Sequence, residues 1–356
     1  MFRALRVLLA SLLLSGSALS AAPVELVPAD FTGAIQPQVA ISPDGLIHVV
    51  FGQGAAVFYT RSTDGRSFTP PTKVGTLEKL ALGMRRGPRV TATNDLVLIT
   101  ALSHADGNIH AWTSPDGARW QEQPALNTVA QSAREGLQAL AGDGQGRVAL
   151  TWLDLRRGQM SLWGRFSKDG GLTWADDCLI YASPDGPICQ CCAPSAAFAP
   201  DGRMGFLWRN SLAGARDLYL CETKDGLKFS EPRKLGQGTW ILNACPMDGG
   251  ALAYDQAGGS LPVWKRIRTV YSSENIATER KVADTAAQPV AAFLGKTPLI
   301  LWESNGALML QRGVATPQVY APGGQYAAIA SHRDHAAVVF EGPSRGRKTI
   351  FCDILR

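Results

Sequence analysis

Four short stretches decide the fold: "STDGRSF" (62–68), "SPDGARW" (114–120), "SKDGGLTW" (167–174) and "TKDGLKF" (223–229). Each places a Ser or Thr two residues before an Asp-Gly pair, and an aromatic three or four residues after the glycine. Asp and Gly close a tight turn, the hydroxyl bonds within it, and the aromatic packs back beneath the hairpin. A single turn of this kind is common. Four of them, starting about fifty residues apart, form a repeat with the period of a propeller.

A second signal runs through the same chain. Short apolar strands end in an aromatic: "IHVVF" at Phe51, "VALTW" at Trp152, "MGFLW" at Trp208, "LPVW" at Trp264, "LILW" at Trp302 and "AAVVF" at Phe340. A further copy, "LVLITAL" (96–102), lacks the aromatic. Each follows a strand-and-turn unit such as "PQVAISPDG" or "PSAAFAPDG", which completes a four-stranded antiparallel blade. Inner strands are expected to begin near Pro37, Pro88, Leu137, Pro194, Gly250, Pro289 and Tyr326. The last unit supplies only three strands, so "VELVPADF" (24–31) is expected to add the fourth and hide the open sheet edge. The expected architecture is all-β, one propeller over residues 22–356, with seven blades favoured over six.

The chain opens "MFRALRVLLASLLLSGSALSAAPVEL", the order of charged, apolar and small residues in a secretory signal peptide, assigned to residues 1–21. Its apolar run is shorter than the roughly 20 residues a membrane span needs. Export to the periplasm or beyond is expected, as a monomer with no membrane span. The formal charge of +5 is modest and the basic residues are scattered, which excludes a nucleic-acid footprint.

The turns "SKDGGLTW" and "STDGRSF" resemble the Asp-box (BNR) repeats of the sialidase superfamily over nearly the whole mature chain. An exported bacterial subgroup is similar in "ICQCC" (188–192), in "WRN" with "ARDLYL" (208–220), and in "WILNACPMDGG" (240–250). The resemblance implies a glycan-related propeller and raises exo-sialidase activity as an alternative to a pure binding role. A sialidase of this family uses three arginines on the substrate carboxylate, a tyrosine nucleophile with a glutamate partner, and an aspartate acid/base. The strand that should carry the first arginine reads "IQPQV" and has none; Arg86, in "RRGPRV", comes one blade late. Tyr271 in "VYSSEN" superficially matches the nucleophile, but it sits where a degenerate Asp box should start and a packed strand tyrosine fits better. Asp154, Tyr271 and Glu303 are the catalytic candidates of an incomplete set, and the fold alone does not assign a reaction.

In a propeller, the loop leading into each inner strand and the loop after the second strand open on one face. That rule brings Cys189, Cys191 and Cys192 of one blade to the same axial corner as Cys245 of the next. It also gathers Arg86, Arg134, Glu135, Asp154, Arg156, Arg209, Arg216, Asp217, Trp240 and Lys265, a set expected to bind an anionic small molecule, a glycan or a protein partner. Asp154, Asp217 and Glu303 would pair with those arginines or serve a hydrolase as acid and base.

The seven cysteines leave at least one thiol unpaired. Disulfides are the default in an oxidising compartment. Thiolate ligation of Cu or Zn is the second reading of the four axial cysteines, so no cofactor is firmly implied. A redox or nucleophilic role is the third. Cys178 and Cys221 are a possible further bridge across adjacent blades. "SHRDH" (331–335) falls on the opposite face and reads as a polar turn, and His48 reads as packing.

Overall fold

The structure is a computed structural model that describes residues 22–274 and 278–356; the expected signal peptide lies outside the described residues. Seven four-stranded antiparallel sheets follow one another around an axis, and the described residues contain no helix. Blades one to six span residues 34–76, 89–123, 138–181, 195–234, 250–283 and 287–322. Blade seven takes three strands from residues 325–355 and its outermost strand, Val24–Glu25, from the other end of the chain. Val24 pairs with Cys352 and Glu25 with Phe351, so the ring closes as the strand count required.

The repeated aromatics explain why the blades pack. Phe51, Trp152, Trp208, Trp264, Trp302 and Phe340 are all at most 3% exposed. Each faces a partner on the third strand of its own blade: Phe58, Trp163, Tyr219, Tyr271, Met309 and Phe351. Such cross-strand pairs are the unit of sheet stabilisation. Seven apolar clusters result, one in each interface between neighbouring blades.

The four Asp-Gly turns share one geometry. Ser62, Ser114, Ser167 and Thr223 accept the N–H of Gly65, Gly117, Gly171 and Gly226, while Asp64, Asp116, Asp169 and Asp225 accept N–H groups further on. Gly65, Gly117, Gly170 and Gly226 have φ between 66° and 75°, where a side chain is strained. Phe68, Trp120, Trp174 and Phe229 join the interface clusters beneath them. These turns join third to fourth strands, which leaves the other face of the ring to the long loops.

Around the axis the inner strands are rich in alanine, and they enclose a cavity of about 230 Å³ lined by Ala139, Ala196, Ala251, Ala291, Arg85 and Arg89. Inner strands of blades one, six and seven begin with a bulge. Each bulge contains a residue with positive φ: Gln36, Gln288 and Tyr326.

Candidate functional site

Two groups of residues share the axial face. The first spans blades five, six, seven and one. The N–H of Gln36 donates to Glu341 Oε1 (2.8 Å), that of Tyr326 to Glu303 Oε1 (2.7 Å), and that of Gln288 to Asp248 Oδ2 (2.8 Å). In each case a carboxylate from one blade holds the strained start of the next. Arg85 reaches across the axis from the loop before blade two. Its guanidinium donates to Gln288 Oε1 (2.8 Å), Gln288 O (2.7 Å) and Ala327 O (2.7 Å). Burial pushes the Glu303 and Asp248 carboxyls above their usual range, against the N–H bonds and the Arg85 charge that pull them down. Glu303 is thus committed to a backbone N–H and faces the Arg85 charge. Sequence reasoning passed over Glu341, Asp248 and the three bulge residues. A faint signal existed for the glutamates, because "WES" and "FEG" both put Glu directly after the second-strand aromatic.

The second group lies on blades three to five. The loop before blade four carries the cysteines, and the N–H of Cys189 donates to Arg209 O (3.0 Å), which ties that loop to the end of the second strand. Cys189 Sγ lies 3.2 Å from Cys192 Sγ and 3.6 Å from Cys191 Sγ. Cys189 and Cys192 are buried and Cys191 is half-buried. Hydrogen bonding with the Cys191 and Cys192 thiols, with the Arg209 charge, holds Cys189 well below the ordinary thiol range; burial pushes Cys192 above it. Cys245 is exposed and neighbours Cys191, whose thiol raises it, while Arg216 lowers it and Glu135 raises it further. The corner therefore assembles residues from three consecutive blades.

Several residues expected in an anion basin are committed internally. Asp154 is fully buried; its oxygens accept Trp152 Nε1 (2.7 Å) and Arg156 Nε (3.0 Å) and Nη2 (2.9 Å). Arg156 also meets Asp177 (2.6 Å) and lies 4.0 Å over the Trp163 ring. Neither is available as a catalytic acid or a substrate clamp. Asp217 accepts the Trp240 N–H (2.9 Å) and so pins the loop that carries Cys245. Arg209 is 1% exposed and donates to the carbonyls of Asp248, Lys265 and Arg216, with Trp240 at 5.3 Å over its guanidinium. Lys265 sits 3.7 Å from Asp248. Arg86 donates to Glu135 O (2.7 Å), fastening blade two to the next leading loop.

Few charges of the expected basin are left over. Arg134 is exposed and bonds only weakly to Gln131 O (3.4 Å), and half-buried Arg216 donates Nε to Leu242 O (3.2 Å). Among the described residues, no carboxylate pairs with either arginine, and no cation pairs with half-buried Glu135. Trp240 is half-buried, with its carbonyl accepting the Arg216 N–H (2.7 Å) and its ring over the Arg209 guanidinium.

Tyr271 is the packed strand tyrosine that the sequence favoured. It lies on the third strand of blade five, stacked on Trp264 at 6.0 Å and on the Arg266 guanidinium at 4.2 Å. That slot belongs to Phe58, Trp163 and Tyr219 in other blades, so the residue packs the blade and does not face the axis. Cys178 and Cys221, the possible bridge, are free thiols, as are the other five cysteines. Both of these residues belong to the apolar cluster between blades three and four, where burial pushes them up to about 11 and about 12. His332 and His335 lie on the opposite face, where His332 meets Pro43 O (3.0 Å) of blade one, and His48 is buried against Tyr59 (2.7 Å).

The chain shares its fold with known propellers. A streptogramin B lyase superposes with a TM-score of 0.57 at 13% identity, over 94% of this chain and 98% of that one. An α-L-arabinofuranosidase from Fusarium graminearum gives 0.53 at 13%, over 95% and 98%. A fucose-bound lectin from Aleuria aurantia gives 0.53 at 10%, over 83% and 99%. At these identities the likeness establishes the fold alone. No family model matches the chain, and no curated protein matches it.

Proposed function

We propose that the protein is an exported, sialidase-like propeller that binds an acidic glycan or a related anionic ligand at the axial corner of blades three to five. The observation that carries this reading is Arg216, left without a carboxylate partner, whose N–H meets Trp240 O (2.7 Å) and whose charge acts on Cys245 together with that of Glu135; Arg134, next to Glu135 in the chain, is likewise unpaired. Guanidinium groups recognise carboxylates through paired N–H donors. An indole face offers a flat apolar platform with a polar edge, which suits a sugar ring.

Hydrolysis has less support. Of the three catalytic candidates, Asp154 is sealed in an ion pair, Tyr271 packs a blade, and Glu303 braces the start of blade seven. Gln36 stands in the strand where a sialidase carries its first arginine, and it bonds to Glu341. The Asp-box turns and the "ICQCC" group support the sialidase-like affiliation, and residues 1–21 support export. Propellers of the same fold include a lectin and a glycosidase, so either role is compatible with the scaffold.

The test is calorimetric titration with a sialic-acid-terminated oligosaccharide and with galacturonate, alongside a sialoside hydrolysis assay. Binding without turnover, weakened in Arg216→Ala, is the expected result. Turnover of sialosides that is lost on changing Arg209 or Arg216 would overturn the binding-only reading.

A further inference from the structure

We propose that Cys189, Cys191 and Cys192 form a trithiolate site for a soft monovalent ion of the Cu(I) class. This inference stands apart from anion binding, since its ligands are the thiols and not the arginines. The three sulfurs all lie within 4.8 Å of one another, with separations of 3.2 and 3.6 Å from Cys189. A metal–thiolate bond of about 2.3 Å places the sulfurs of a trigonal site roughly 4 Å apart. Small rotamer adjustments therefore suffice to admit an ion.

The donor set selects the ion. Only sulfur is present in this cluster, and soft thiolates favour Cu(I) and Zn(II) over hard cations. Ordinary structural zinc sites take four ligands with two or more residues inside each cysteine pair, whereas C-x-C-C is tighter and supplies three from one loop. Three sulfurs suit a trigonal Cu(I) ion.

The site is also held in place. Ile188 donates to Met160 O and Cys189 to Arg209 O, both at 3.0 Å, so the loop is anchored to blades three and four. On its other side Gly249 presses against Ala193, and a Cβ there would come 2.3 Å from Ala193 O. Cu(I) with three thiolates carries two net negative charges. Arg209, whose charge acts on Cys189 and Cys192, and Arg216, whose charge acts on Cys245, stand where they would offset them. Exposed Cys245 lies on the solvent side, outside this group of three sulfurs. From three thiols, binding forms three S–Cu bonds and releases three thiol protons to solvent, with no change in oxidation state.

The reduced full-length protein would be titrated anaerobically with Cu(I) against a competing bicinchoninate chelator, followed by X-ray absorption at the copper edge. One Cu(I) retained per chain with three sulfur neighbours is the expected result. Cys191→Ser and Cys192→Ser should each weaken retention by about a hundredfold or more, beyond the roughly 10–100-fold typical of outer-shell losses. Cys245→Ser should change it by less. Cys191 is half-buried, so its variant keeps the test valid if Cys192→Ser fails to fold. Failure to compete with the chelator, nitrogen or oxygen neighbours, or retention unchanged in Cys191→Ser would each overturn the proposal. So would preferential loading with Zn(II). Because the sugar titrations use metal-free protein, loss of one activity does not carry the other with it.

Discussion

In blades six, seven and one, the charges of the axial face end on one another. Glu341, Glu303 and Asp248 each accept a backbone N–H from the next blade, and Arg85 crosses the axis to bind Gln288 and Ala327. In blades three to five, the same kinds of residue leave valences open. Arg134, Arg216 and Glu135 lack charged partners among the described residues, and four thiols stand close together unbonded. Burial with complete pairing builds the ring, while leftover donors and nucleophiles mark where something else can bind.

The sharpest way to break this contrast is Arg85→Ala. It removes a guanidinium that donates to three acceptors, and should cost about 3 kcal/mol or more, since each hydrogen bond to a charged group is worth about 1.5–3 kcal/mol. Urea unfolding measures it, and a loss below about 1 kcal/mol would deny the architectural role. Asp154→Asn comes next. Its lost ion pair with Arg156 should cost about 1.5–3 kcal/mol, the worth of hydrogen bonds to a charged group, without altering ligand affinity. Reduced sugar binding in that variant would reopen Asp154 as a site residue.

Arg216→Ala should behave oppositely. Stability should stay within about 0.5 kcal/mol of the parent, as for surface changes away from special features. Affinity for the acidic sugar should fall about tenfold, equivalent to roughly 1.4 kcal/mol. A comparable loss from Arg156→Lys, which changes a committed arginine, would erase the distinction between the two halves.

A smaller effect separates the axis from the turns. Backbone N–H bonds to Asp225 pull its carboxyl down to about 2, and Asp64 and Asp116 shift the same way. Their contribution is present above the unfolded value of about 3.9 and is lost as pH falls through the folded value. Glu303 and Asp248 shift upward, so their contribution is full below the unfolded value and is lost as pH rises through the folded one. Asp225→Asn should therefore flatten the stability profile between about pH 4 and 2, read by denaturant titration at each pH. An unchanged acid limb would count against the shared turn geometry.

The architecture was legible because two independent repeats, the Asp-Gly turns and the strand-ending aromatics, report the same blade. Even the closure by residues near Val24 followed from a missing strand. The face rule put Cys189, Cys191 and Cys192 on the axial face with Arg209, to whose carbonyl the Cys189 N–H donates. What sequence could not show is how charges are shared. Asp154 and Arg156 sit two residues apart in "WLDLRRG", yet their commitment depends on Asp177 and Trp163, which only folding brings to them. The span of Arg85 across the axis has no local signature at all. Tyr271 was readable in principle: aligning third strands puts it in register with Phe58, Trp163 and Tyr219.

Hydrogen–deuterium exchange with and without the sialic-acid-terminated oligosaccharide tests the central claim most directly. Protection should appear in the loops around residues 132–136, 188–193, 211–217 and 240–247. The Asp-Gly turns and the Arg85-centred half should stay unchanged. Protection centred on blades six, seven and one, or on the face that carries His332, would contradict the account.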